Sequence, residues 1–289
     1  MHALLQPDDL VTLLAQQPAR APDGVTVLDV RWQLGRTDGR EAYLAGHVPS
    51  AVYVDLETEL ADPAEDPVGE GGRHPLPATD RFAVAMRRCG VRGDRPVVVY
   101  DDWSGMAATR AWWLLRHHGH PDVRVLDGGW SAWQEAGGAV ETRVPTPVPG
   151  DFVAAPGRLT VLDADAAARV AAEGVLIDAR APERFTGEQE PVDPVPGHVP
   201  GAVSVPATAN LRDGRFRPVT ELADLYAATT GATVVGAYCG SGVTATHDLF
   251  ALHLLGREGA LFAGSWSGWV SDPVRPVRTG HENLTHRNA

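Results

Sequence analysis

The chain alternates short apolar runs with longer stretches in which apolar residues recur every three or four positions. The runs VTVLDVR (25–31), RPVVVYD (95–101), VLIDAR (175–180) and ATVVGAYC (232–239) read as strands. PVVVY and ATVVGAY show no polar alternation, which is the pattern of strands covered on both faces of a parallel sheet. After these runs the spacing becomes helical, with Ala245, Leu249, Leu252 and Leu255 forming one stripe and Ala107, Ala111, Leu114 and His118 another. The expected fold class is α/β, a mostly parallel sheet flanked by helices on both faces.

The pattern occurs twice. VTVLDVR followed by AGHVPSAVYV (45–54) is matched by VLIDAR followed by PGHVPGAVSV (196–205). RPVVVYD corresponds to ATVVGAYC, and VLDGGWSAW (125–133) to LFAGSWSGW (261–269). Four matched segments in one order identify a tandem duplication. The boundary falls in ETRVPTPVPGDFVAAPG (141–157), whose prolines and glycines suit a semi-extended connection. The expected organisation is a first domain over 1–142, a linker over 143–157, a second domain over 158–280 and an unstructured polar tail over 281–289.

Composition narrows the function classes. At 289 residues, 44% hydrophobic and 21% charged, the chain suits two soluble globular domains. A formal charge of −12 argues against a nucleic-acid binder, which needs clustered Lys and Arg, but leaves room for a small anionic substrate in a local positive site. Two cysteines and no CxxC pair exclude a disulfide framework and a zinc site. The start MHALLQPDDLVTLLAQQ lacks the layout of a signal peptide, and no run reaches the ~20 apolar residues of a membrane span. The expected location is a reducing cytoplasm, where Cys239 persists as a thiol.

Cys239 sits in AYCGSGVTAT, between an apolar run and a glycine–serine–glycine turn. Its counterpart in the other copy is Asp101, in a loop one residue longer. A core filler would be matched by Ala or Val, so the second copy reads as reactive and the first as a supporting relic. Gly240 and Gly242 allow the backbone to curl so that consecutive amides face one point, and the helix that follows adds the positive end of its dipole. A thiolate is stabilised in such a nest at the carboxyl end of a parallel strand. Phosphate chemistry fits poorly. No lysine completes a P-loop, and a cysteine phosphatase or arsenate reductase needs an arginine six residues after the nucleophile, where Ala245 stands.

The duplicated DxR, GHVP and GxW landmarks and the loop CGSGVTA together resemble the two-domain rhodanese-type sulfurtransferases, over about residues 5–275. The loop is similar to that of the 3-mercaptopyruvate branch, because Gly240 and Ser241 replace the basic residues typical of the thiosulfate branch. The resemblance implies an inactive first domain and a catalytic second one. Cys239 would take sulfur from a donor as a persulfide and yield it to cyanide, a small thiol or a thioredoxin-like protein, with no cofactor or metal. It implies further roles residue by residue. Ser241 would relay a proton with His74 and Glu57, Asp55 being the alternative acid. Arg184 would grip the donor's anionic group, and Gly240, Gly242, Val243 and Thr244 would surround the donor. A second arginine expected in an EPR segment is replaced by Val192 of EPVDP, which predicts a weaker hold on a carboxylate. Thiosulfate is therefore the alternative donor, and a persulfide carrier module the alternative role. Arg31, Arg180, His47, His198 and the paired tryptophans are expected to hold the fold, and Cys89 to fill space.

Overall fold

Each half of the chain forms one five-stranded parallel sheet. A computed structural model describes residues 3–15, 24–66 and 68–280. The first sheet contains β1 (Leu4–Leu5), β2 (Thr26–Asp29), β3 (Val52–Tyr53), β4 (Val97–Tyr100) and β5 (Val123–Leu126), in the order β1-β5-β4-β2-β3. In the second half β6 (Val161–Leu162), β7 (Val175–Asp178) and β8 (Val203–Ser204) precede a two-stranded antiparallel hairpin, β9 (Leu211–Arg212) and β10 (Arg215–Phe216). After it come β11 (Val235–Tyr238) and β12 (Ala260–Phe262). The order β6-β12-β11-β7-β8 repeats that of the first sheet, strand for strand. β4 and β11 are central and buried along their whole length, as their unbroken apolar runs require.

The landmarks shared by the two halves have the same structural task. Arg31 Nε lies 3.1 Å from both Asp29 oxygens, its Nη2 donates to the Gly46 carbonyl at 2.6 Å, and its guanidinium stacks 4.5 Å from the Trp130 ring. Arg180 repeats this with Asp178, the Gly197 carbonyl and the Trp266 ring, the last at 4.6 Å. His47 and His198 each bond a backbone carbonyl through Nδ1 and stack on Tyr43 and Phe185. These buried groups tie a central strand to the GHVP turn and the GxW helix, so they recur in both halves whether or not a cysteine is present.

The chain divides into two compact units that do not follow sequence order throughout. The first comprises the chain up to Pro63, Leu76–Thr160 and Leu211–Arg217. The second comprises Ala64–Pro75, Val161–Asn210 and the chain from Pro218 onward. The hairpin β9–β10 joins the first unit through Phe216 N, which donates to Asp127 Oδ1 at 2.9 Å. The proline-rich stretch over 143–157 also runs on the first unit, where Gly150 N donates to the Arg87 carbonyl and Ala155 N to that of His118. Buried Phe152 fastens it there, a tertiary contact that proline and glycine content does not reveal. The predicted tail over 281–289 lies outside the described residues. Among those described, no helix is long and apolar enough to cross a membrane.

Candidate active site

β11 runs straight into Cys239, and the helix Ala245–Leu254 starts six residues later. The loop between them is folded by three anchors. Cys239 N donates to Ser265 Oγ at 3.1 Å, the Cys239 carbonyl accepts from Trp266 N at 2.9 Å, and the Gly240 carbonyl accepts from Ser267 N at 3.0 Å. Gly242 turns the chain at a φ of +77°, with so little room that a Cβ there would stand 2.5 Å from the Ala263 carbonyl oxygen. This turn carries the Gly242 amide back onto Cys239 Sγ, 3.1 Å away. Among the described residues, no acceptor takes the amides of Val243, Thr244 and Ala245 that open the following helix. Cys239 is only 2% exposed.

The second half of the site comes from Ala64–Pro75. Its Gly72, at a φ of +74°, lies so close to the Ser265–Trp269 helix that a Cβ would sit 2.3 Å from the Gly264 carbonyl oxygen. Arg73 N donates to Ser267 Oγ at 3.1 Å. His74, buried, then places Nδ1 2.7 Å from Ser241 Oγ, two residues from the cysteine. A hydroxyl hydrogen-bonded to an imidazole can pass a proton between solvent-side and substrate-side groups.

Arg184 lies on the short helix Pro182–Thr186 and is held by two acids. Its Nε is 3.1 Å from both Glu190 oxygens, and its Nη2 donates to Glu190 Oε1 at 2.8 Å and Asp193 Oδ2 at 2.9 Å. Asp193 also accepts from Arg73 Nη1. Burial pushes the Asp193 carboxyl up, against the pull of Arg73 and Arg184. Glu190 stays below the usual carboxylate range despite burial, because Arg184 and the Asp193 and Val192 amides bond it.

Cys239, Ser241, His74, Arg184 and loop residues Gly240, Gly242, Val243 and Thr244 therefore belong to one unit. Glu57 is on the helix Leu56–Glu59 of the first unit, where its Oε1 accepts from Trp32 Nε1 at 2.6 Å. Asp55 caps that helix by accepting from Thr58 N at 3.1 Å. Cys89 is buried in the first unit, and burial pushes its thiol up to about 12, which keeps it protonated and inert. No group of three or more His, Cys, Asp or Glu among the described residues could hold a metal ion.

The rhodanese-like domain family matches the chain twice, over residues 7–136 and 162–272. The chain belongs to the rhodanese family. A Mycobacterium tuberculosis protein named as a thiosulfate sulfurtransferase, SseB, is 47% identical over 272 residues, spanning 90% of this chain and 93% of that protein. A Pseudomonas aeruginosa protein named as a 3-mercaptopyruvate sulfurtransferase is 45% identical over 280 residues, spanning 93% and 98%. The structure of 3-mercaptopyruvate sulfurtransferase from Leishmania major superposes with a TM-score of 0.81 at 29% identity, covering 95% of this chain and 75% of that one. Two relatives of nearly equal similarity thus carry different donor names.

Four residues of this tandem rhodanese chain escaped the reading of its sequence: Arg73, Glu190, Asp193 and Ser265. Arg73 precedes His74 in GGRHPLP, and Glu190 and Asp193 flank Val192 in EPVDP, so all three lay beside residues already singled out. Ser265 was visible as the repeat's counterpart of Gly129, a difference that nothing in the local pattern marks as important.

Proposed function

We propose that the chain is a sulfurtransferase that takes sulfur from 3-mercaptopyruvate onto Cys239 and passes it to a thiophilic acceptor. The second rhodanese copy does the chemistry, and the first, with Asp101 in place of the cysteine, does not. The observation that carries this reading is the 2.7 Å bond between His74 Nδ1 and Ser241 Oγ, beside a cysteine whose sulfur accepts an amide. Release of pyruvate needs a proton on carbon, and release of sulfite from thiosulfate does not. A hydroxyl–imidazole relay at the nucleophile therefore favours the carbon-bound donor.

The Cys239 thiolate attacks the donor sulfur, forming the S–S bond of a persulfide. The donor's C–S bond breaks, its electron pair goes to carbon as the enolate of pyruvate, and Ser241, replenished through His74, delivers the proton. Glu57, with Asp55 as the alternative, is the acid that the family resemblance implies for this relay, and within the first unit its Oε1 accepts from Trp32 Nε1. The persulfide's outer sulfur is stabilised by the Gly242, Val243 and Thr244 amides and the start of the helix. Cyanide, a small thiol or a thioredoxin-like protein then attacks that sulfur and returns the Cys239 thiolate. Arg184 holds the donor's anionic group. The chemistry uses no cofactor, and a thiol nucleophile of this kind suits a reducing cytoplasm.

The test is thiocyanate formation from cyanide with 3-mercaptopyruvate and with thiosulfate, on the wild-type protein and on Cys239→Ser. The expected outcome is faster turnover with 3-mercaptopyruvate and loss of at least about a thousandfold in the variant. Preference for thiosulfate would transfer the reading to that donor. Undiminished turnover in Cys239→Ser would remove the nucleophile, and turnover with neither donor would leave a persulfide carrier.

A further inference from the structure

Each unit contains a short segment from the other half of the chain, and the two segments correspond. Ala64–Pro75 belongs to the second unit and Leu211–Arg217 to the first. Gly72-Arg73-His74 in one lines up with Gly214-Arg215-Phe216 in the other. The two glycines turn at φ of +74° and +73°, and each segment leads through proline into a helix, Thr79–Arg88 or Val219–Leu225. The arm of the second unit thus carries His74 where the arm of the first carries Phe216, just as the strand ends carry Cys239 and Asp101.

The arms are held differently. In the first unit Phe216 N donates to Asp127 Oδ1 at 2.9 Å, and the repeat's counterpart of Asp127 is Ala263, which has no carboxylate to offer. In the second unit the seat is the helix Ser265–Trp269. Ser267 Oγ accepts from Arg73 N at 3.1 Å, and Ser267 N donates to the Gly240 carbonyl at 3.0 Å. One buried residue therefore bonds the arm on one side and the Cys239 loop on the other, whereas its counterpart Ser131 is exposed. Gly268 stands where the first copy has Ala132. A Cβ on Gly268 would lie 2.4 Å from the Glu70 carbonyl oxygen and 3.3 Å from Gly72 N. That contact is backbone against backbone, so no side-chain rotation relieves it and a methyl group would push the arm away. His74 Nδ1 is 2.7 Å from Ser241 Oγ, and a shift of about 1 Å takes the pair out of hydrogen-bond range.

We infer that Ser267 and Gly268 are positioning residues that seat the arm so that His74 meets Ser241, and that this seat determines which donor the site favours. The enolate released from 3-mercaptopyruvate takes a proton on carbon, and sulfite leaving thiosulfate takes none. An arm lifted from its seat therefore impairs the first donor and spares the second. The effect on donors rests on the sulfurtransferase reading, and the seat itself does not.

The experiment makes Gly268→Ala, Ser267→Ala and His74→Phe, the first and last installing the other copy's residue. Gly268→Ala is expected to lower kcat with 3-mercaptopyruvate about 10- to 100-fold with KM little changed, and Ser267→Ala about 3- to 10-fold. Turnover with thiosulfate, and discharge of a preformed Cys239 persulfide by cyanide, should stay within about twofold. Added to His74→Phe, Gly268→Ala should lower kcat no further, because both act on one relay. An equal fall with both donors, or a fall that multiplies with that of His74→Phe, overturns the inference, since general loosening of the packing would produce it. Amide hydrogen exchange reads the seat without turnover. Arg73 N should lose protection at least about tenfold in both seat variants, and unchanged protection overturns the seat. In a protein that turns over neither donor, lost Arg73 protection sustains the seat and the sulfurtransferase reading falls instead.

Discussion

The loop after β4 and the loop after β11 leave equivalent strands of a duplicated sheet and use their amides in opposite ways. In the first, the Asp101 carboxylate fills its own nest. Oδ1 accepts from Trp103 N at 2.9 Å and Gly105 N at 2.8 Å, and Oδ2 accepts from Ala107 N and Ala108 N, each at 2.8 Å. In the second, Cys239 Sγ accepts only from Gly242 N among the described residues, and the next amides have no described acceptor. One loop has its amides taken by its own carboxylate, and the other leaves amides without a described acceptor. A single side chain at the end of the strand, Asp101 or Cys239, decides whether the loop's amides are filled from within. The surrounding DxR and GHVP anchors are the same in both.

The largest effect expected from this contrast is on stability. Asp101→Ala leaves four amides, three of them buried, without their acceptor, and at about 1–3 kcal/mol for each buried unsatisfied group the total loss should reach at least about 3 kcal/mol. Cys239→Ala removes one weak acceptor and some volume, and should cost about 1 kcal/mol. Urea denaturation of both variants measures the difference. Equal losses would mean that the two nests are not used differently.

Much of this was legible in the chain. The repeat, the central strands and the substitution of Asp101 by Cys239 follow from matched segments, because strand burial and loop length are local properties. The position of His74 beside Ser241 was accessible only through resemblance, since 167 residues separate them. Arg73 was not legible at all. Its ion pair with Asp193 depends on Ala64–Pro75 packing within the second unit, which is secured by the close approach of Gly72 to Gly264 and by the bond from Arg73 N to Ser267 Oγ, neither of which has a periodic signature.

A smaller and pH-dependent difference lies one turn into the helices. The helix Ala108–His117 carries Ala111 where the helix Ala245–Leu254 carries Asp248. Asp248 accepts from Asn210 Nδ2 at 2.8 Å, and burial pushes its carboxyl up to about 8. Between about pH 4 and 8 the folded protein keeps a proton that the unfolded chain releases. Stability therefore falls as pH rises across this window, by up to about 1.4 kcal/mol per pH unit. Asp248→Asn should flatten that slope by one proton's share, measured as denaturation midpoints at pH 5 and pH 8. Burial also raises Asp29 in the first unit, to about 7, and its contribution should remain in the variant. An unchanged slope would show that Asp248 ionises in the folded protein at an ordinary pH.

The finest difference is Ser265, which occupies the place of Gly129. Both have left-handed backbones, with φ of +54° and +56°, a conformation easy for glycine and strained for serine by about 1–2 kcal/mol. Only the serine offers an oxygen, and that oxygen accepts from Cys239 N while donating to the Phe262 carbonyl. The strain is thus present in the copy that carries Cys239 and absent from the copy that carries Asp101. Ser265→Gly relieves the strain but leaves the Cys239 amide without its acceptor, so the net stability change should stay within about 1 kcal/mol. Because the lost bond orients the nucleophile's own backbone, kcat should fall about 3- to 10-fold while KM for the donor holds. If kcat survives intact, Ser265 is a remnant of packing, and the contrast between the two loops reduces to Asp101 and Cys239 alone.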